Sequence, residues 1–242
     1  MGGPRYARCV PDTPFALFDL TPSGEIRESI APPARLPHES RVVADSADRV
    51  AWLRARSQGV TATDAAKLAT RASVKSAVWE KLHGPARSFG GSRYTDHGRE
   101  REPVIAEWAA RAHGMTHSSL LYHAASDRRH LATPDGLRVT GGVLELCEIK
   151  TTSKPWRAVP RSYLRQVWWQ QYVLGAERTL IVWEQHDDFV PVDPEPQCRW
   201  IDRDDDQIAI LVSLADELLA ELRPAHAPVH DPRAAFRPSV LA

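Results

Sequence analysis

The stretch Val143-Leu-Glu-Leu-Cys-Glu-Ile-Lys-Thr-Thr152 constrains this chain more than any other. It follows the turn signal Gly141-Gly142, is rich in apolar residues and reads as a strand over Gly142–Thr151. Alternate side chains of a strand share a face, so Glu148 and Lys150 point the same way with Leu146 beneath them. An apolar strand that turns a carboxylate and an ammonium to one side is presenting them to something. Upstream, Leu120-Leu-Tyr122 and His130-Leu-Ala-Thr133 are further strand signals, and Pro134-Asp135-Gly136 is good turn chemistry. Asp135 therefore sits on a turn entering the preceding hairpin, and it reaches Glu148 if that hairpin folds back.

Helical signals surround this centre. They begin near Ser46, recur at Thr61–Ala69, and run from Ser73 as N-cap to Gly84 as C-cap. A longer helix is expected from Thr95 to His113, stopped by Gly114. Pro160 opens another at its first position and Gly175 closes it. A strand follows at Thr179–Glu184, then two short strands, and Gln207–Leu222 has strong apolar periodicity with Pro224 as its stop. Helices first, then a central mixed sheet with a helix packed on it, is an α/β layered architecture. Residues 1–45 read as an accessory hairpin, Phe15–Leu20 and Glu25–Arg27 around Pro22-Ser-Gly, and a linker. Residues 46–222 form the main domain, and 223–242 a flexible tail.

Composition narrows the function. Cys9, Cys147 and Cys198 are scattered and odd in number, which argues against a disulfide framework, a clustered zinc site or a four-cysteine iron–sulfur cluster. His113 and His117 are four apart, but Gly114 between them breaks the helix that would align them. No apolar stretch approaches the roughly 18 residues of a membrane span, and the start of the chain lacks a secretory core, so a cytoplasmic protein without a membrane partner is expected. The net charge of zero speaks against a nucleic-acid partner until its distribution is read. From Lys150 to Arg178 six basic residues face one acid, Glu177, whereas Glu184 to Asp206 holds nine acids against Arg199 and Arg203. A basic face can neutralise phosphates in a balanced molecule because salt screens charge beyond about 10 Å. A solvated helix face is the plainer account of the same residues.

The chemistry follows from residue types. Hydrolysis of a phosphodiester needs charge stabilised on the phosphoryl oxygens, a nucleophilic water and a neutralised leaving oxygen. Asp135 and Glu148, with twelve residues between them, offer hard oxygen ligands for Mg²⁺, or Mn²⁺ in its place, with the carbonyl of Ile149 to complete the set. Lys150 beside the water favours hydroxide. Glu102 shares a helix face with Ile105, Ala106 and Ala109, so it points inward, where a metal, a water or Lys150 relieves the cost of burying it. A pairing with Arg99 is the alternative for Glu102. A surface ion pair worth under ~1 kcal/mol is the alternative for Glu148 and Lys150. On the helix after Pro160, Tyr163, Gln166, Trp169, Gln170 and Val173 share a face, and two glutamines beside an aromatic fit either a nucleic-acid contact or core packing.

Taken together, these residues resemble the lambda-exonuclease and YqaJ-like viral recombinase branch of the PD-(D/E)XK nucleases, from about Trp52 to Trp183. The landmarks are Trp52-Leu-Arg-Ala-Arg56, Gly59-Val-Thr-Ala-Thr63-Asp-Ala65, Gly98-Arg-Glu-Arg-Glu102-Pro103, Thr133-Pro-Asp135-Gly136, Glu148-Ile-Lys150 and Tyr163-Leu-Arg-Gln166-Val167. The resemblance implies a restriction-endonuclease-like core over residues 46–222 and a metal-dependent deoxyribonuclease acting 5′ to 3′ on linear duplex ends. It makes Asp135 and Glu148 metal ligands, Lys150 the helper of the water, Glu102 the helix carboxylate and Gln166 the helix glutamine. Arg56 and Thr63 match residues that hold a 5′-phosphate, with threonine here where lambda exonuclease has serine, and Arg161 and Arg165 join them on the basic helix. It also implies a trimeric ring, and the segments before Ser46 and after Glu184, outside the resemblance, are the candidates to alter assembly or to recruit a single-strand annealing partner. An endonuclease or repair nuclease of the same superfamily, or a non-catalytic DNA-binding recombination protein, remains open at this point.

Overall fold

The computed structural model describes residues 37–83 and 92–223. In chain order the elements are β1 (Val42–Asp45), α1 (Arg49–Ser57), β2 (Val60–Thr61), α2 (Ala62–Ala65), α3 (Arg71–His83), α4 (Arg93–His113), β3 (Thr116–His117), β4 (Leu120–His123) and β5 (His130–Ala132). Then come β6 (Gly136–Thr140), β7 (Val143–Thr152), α5 (Arg161–Leu174), β8 (Arg178–Asp187), β9 (Val190–Pro191), β10 (Gln197–Asp202) and α6 (Asp205–Glu221).

The strand at Val143 is the centre of the larger sheet, whose order is β10-β8-β7-β6-β3, with β9 pairing β8. It runs antiparallel to β6 and parallel to β8, so the sheet is mixed, and α5 is the crossover that a parallel neighbour requires. A smaller sheet, β1-β4-β5-β2, carries the strand that leads into Asp135. The two faces of β7 bury different partners. Leu144 and Leu146 pack into a core with Trp168, Trp169 and Val173 of α5 and Leu211 and Leu218 of α6. Cys147 and Ile149 pack on the opposite face with Ile105 and Ala109 of α4. This is the α/β class expected, with helices on both faces of a mixed sheet and the sheet divided in two.

Helix ends explain where the elements stop. Gly114 and Gly175 close α4 and α5 at φ of 65° and 76°, a left-handed conformation that glycine adopts without a Cβ penalty. His113 and His117 consequently fall on different elements. Ser73 is not the cap of α3: the helix begins at Arg71, and Ser73 Oγ accepts from the N–H groups of Ala69 and Thr70 from inside the first turn. Pro160 is the N-cap residue of α5, one position earlier than expected. The largest departure is β1, which pairs antiparallel with β4 where the sequence reads as linker up to residue 45. The hairpin expected at residues 15–27, Cys9, the caps Gly84 and Pro224, and the tail lie outside the described residues. Among the described residues no helix is long and apolar enough to cross a membrane.

Candidate active site

Glu148 is 2% exposed and faces α5 from the middle of β7. Lys150 Nζ and Gln166 Nε2 both donate to its Oε1, and Gln170 Nε2 donates to Oε2 at 2.6 Å. Both glutamines come from α5, one turn apart, so the helix supplies two neutral donors to a single carboxylate. Asp135 arrives from the other side. Its N–H donates to the carbonyl of Cys147 at 3.1 Å, and its Oδ2 accepts the N–H of Ile149 at 2.7 Å. The turn before β6 is thus stitched to β7, which draws Asp135 alongside Glu148 and Lys150. Glu102 on α4 is half-buried and close enough to act electrostatically on Asp135. Arg99 pairs instead with Asp96. Pro103, next to Glu102, removes one helix hydrogen bond there.

The electrostatics of the group are those of crowded like charges around one cation. Burial, then the neighbouring Glu148 and Glu102 carboxylates, push the Asp135 carboxyl well above the usual carboxylate range, against the pull of Lys150. Burial alone would lower Lys150. The carboxylates of Glu148 and Asp135 overturn it and hold the ammonium above its ordinary value, so Lys150 stays charged. Three carboxylates against one ammonium leave a negative excess, and every candidate ligand atom is a hard oxygen. Asp135 Oδ1 and the remaining lone pairs of Glu148 are the acceptors left to a cation. Two buried oxygens nearby, Gln170 Oε1 and Thr133 Oγ1, have no hydrogen-bond partner among the described residues. This donor set fits a small divalent ion with bound water.

The remaining expected residues divide by element. Thr63 is exposed on α2, while Thr61 is the buried hydroxyl that forms a capping box with Asp64. Arg165 donates from Nε to the carbonyl of Ala66 at 2.9 Å, which ties α5 to the end of α2. Burial, then the charge of Arg161, lowers Arg165 from its ordinary value, so these two guanidinium groups share one corner with α2. Arg56 lies on α1 with its guanidinium 4.2 Å from the Trp52 ring centroid. Not all of the basic stretch is free for phosphates. Lys150 is bound to Glu148, and Arg178 to the buried Glu145 that Arg138 also holds.

The resemblance had named Gln166, whereas the contact of Gln170 with the same carboxylate had not been expected. The glutamines of α5 meet Glu148 rather than open surface, and their four-residue spacing was the available signal. Trp169 is fully buried with Nε1 donating to Leu131, so the aromatic of that stripe is core. Around Lys150 stands an aromatic group, Trp156 stacked on Trp183 and beside Tyr163, whose ring centroid is 5.2 Å from Lys150 Nζ. Arg101 and Glu184 form a two-pronged bridge from α4 to β8 nearby. Nothing in single-strand alternation pairs those residues.

The family model for the YqaJ-like viral recombinase domain matches residues 51–177, just over half of the chain. The chain belongs to that family. No curated protein sequence matches it. Among solved structures it is similar to an alkaline exonuclease, LHK-Exo, from Laribacter hongkongensis, at 25% identity and a TM-score of 0.54 over 71% of this chain and 91% of that one. The same enzyme in complex with dAMP gives a TM-score of 0.55 at the same identity and coverage. A phage-related exonuclease from Haemophilus somnus 129PT shares the fold at 15% identity and a TM-score of 0.53, over 68% and 94% of the two chains. Family and structures together support a nuclease of the phage-recombination exonuclease type.

Proposed function

We propose that this protein is a Mg²⁺-dependent deoxyribonuclease that degrades one strand of linear duplex DNA from its 5′ end. The observation that carries the reading is Glu148, a buried carboxylate held by Lys150, Gln166 and Gln170, with Asp135 drawn alongside by its bond to the Ile149 N–H. A divalent ion bound there would polarise the phosphoryl group and lower the pKa of a bound water. Asp135, Glu148, the Ile149 carbonyl and Glu102 are the groups to hold it, with Mn²⁺ able to substitute. Lys150, kept charged by its two carboxylate neighbours, stabilises hydroxide and the developing pentavalent anion. Gln166 and Gln170 fix the Glu148 oxygens without adding charge. Arg161, Arg165 and Thr63, where α5 meets α2, together with Arg56 on α1, are the groups for the 5′-phosphate. A ring of three subunits and a single-strand annealing partner accompany this reading.

The test is end-labelled linear duplex beside closed circular DNA, incubated with Mg²⁺ and with the Lys150→Ala and Glu148→Gln proteins in parallel. Loss of linear DNA alone, abolished in both variants, supports the proposal, and comparing 5′ with 3′ label reads the polarity. Cutting of circles makes the protein an endonuclease. Binding without metal-dependent cutting of either substrate makes it a DNA-binding recombination protein.

A further inference from the structure

A second group of metal-ligating atoms lies outside this site. His130 opens β5, Asp127 precedes it in the turn after β4, and Asp216 comes from α6. One ligand atom from each falls within 4.8 Å of the others. His130 is 1% exposed, and its Nε2 lies 3.3 Å from Asp216 Oδ1 yet makes no well-directed hydrogen bond. That separation has a simple meaning. Two ligands each about 2.0 Å from a tetrahedral ion stand about 3.3 Å apart. The other ring nitrogen is already engaged, since Nδ1 lies 2.8 Å from Tyr172 Oη, which in turn is 2.6 Å from Ser126 Oγ. Such a partner fixes the ring and, when Nδ1 carries the proton, turns the lone pair of Nε2 toward the carboxylates.

We propose that Asp127, His130 and Asp216 bind a Zn²⁺ ion, with water in the fourth position. The imidazole nitrogen sets its chemistry apart from the oxygen-only group at Glu148: imidazole suits Zn²⁺, whereas Mg²⁺ keeps to oxygen. Burial, against the pull of Asp127 and Asp216, lowers the His130 imidazole from its ordinary value, the direction that suits a ligand. Arg129 donates to Asp127 Oδ1 from its backbone N–H at 2.8 Å and from Nε at 3.1 Å, and to Oδ2 at 2.6 Å, which leaves a lone pair on Oδ2 for an ion. Its charge reduces that of the two carboxylates from −2 to −1. The role is bracing. The ion joins α6 to the start of β5, the strand whose end leads through Thr133 and Pro134 to Asp135.

The test uses the full chain carrying Asp135→Asn and Glu148→Gln, so that Zn²⁺ has no carboxylate pair in the other site. After treatment with chelator it is titrated with Zn²⁺ in excess Mg²⁺, and separately with Co²⁺ to read the visible bands of a four-coordinate ion. One Zn²⁺ per chain is expected, with at least about a tenfold loss of affinity when Asp216→Asn is added. Asp216 has a 58% exposed side chain, so this variant should keep the parent's circular dichroism spectrum, and His130→Gln repeats the loss from the buried side. Failure to retain Zn²⁺ in excess Mg²⁺, or unchanged affinity in the folded Asp216→Asn protein, overturns the proposal. Neither result bears on the nuclease reading.

Discussion

Glu148 accepts from three side chains, and they do different work. Lys150 supplies charge, whereas Gln166 and Gln170 supply direction, holding both oxygens without adding charge. Leucine at position 170 would leave Oε2 buried without its 2.6 Å donor, and a lost hydrogen bond to a charged group costs about 1.5–3 kcal/mol. Gln170→Leu should therefore lower kcat for nucleotide release by about 10–100-fold with KM for DNA little changed. Gln166→Leu should do less, because Gln166 is only half-buried and Lys150 shares its oxygen. Equal KM and kcat effects in both variants would count against a positioning role. At this scale the sequence exposed the Glu148 and Lys150 pair, because strand alternation alone puts them on one face. It showed that Gln166 and Gln170 share a stripe, but helical periodicity does not say what that stripe meets. Lys150 lies two residues before the end of β7 and Gln166 is the sixth residue of α5, so only the packed crossover brings them together.

Arg41 shows how an element can depend on a residue far outside it. From the turn before β1 it donates to the carbonyls of His123, Val173 and Leu174 at 2.9, 2.5 and 3.0 Å, the last two at the end of α5. The last carbonyls of a helix lack intrahelical partners and carry its negative pole, so a guanidinium there is doubly suited. Arg41→Ala should lower unfolding stability by roughly 2–3 kcal/mol in urea denaturation, and Arg41→Lys should recover only part, lacking the planar fork. Gly59 makes a comparable tie between β2 and β5. A Cβ there would meet the Arg129 carbonyl at 2.2 Å, a backbone atom that cannot swing aside. Gly59→Ala should cost about 1–3 kcal/mol, read as a fall in Tm. Long elements such as α4, α5 and α6 were legible from periodicity and caps. The strand β1 was not, since its four residues carry no alternation and exist as a strand only through pairing with β4.

The whole molecule stores several imidazoles in its interior, and this sets how it should respond to acid. His38, His97 and His113 are all buried, and burial lowers each below its ordinary value of 6.5, helped by Arg41 at His38, by His186 at His97 and by Arg138 at His113. In the unfolded chain these rings take up protons as pH falls through about 6.5, while in the fold they resist. The unfolded state then binds more protons, so stability falls as pH drops from 6.5 toward the lowered folded values. Each ring that stays neutral contributes at most about 1.4 kcal/mol per pH unit. Asp135 acts in the opposite sense, because its folded value is raised and protonation favours the fold as pH falls through it. Denaturation is therefore best compared in the Asp135→Asn protein, without divalent metal, at about pH 7 and about pH 5. The urea midpoint should be lower at the acid end, and His113→Asn should reduce that drop by one ring's share. An undiminished drop in that variant would mean that His113 takes up its proton inside the fold, against the apolar contacts of Trp108 and Trp200 that enclose it.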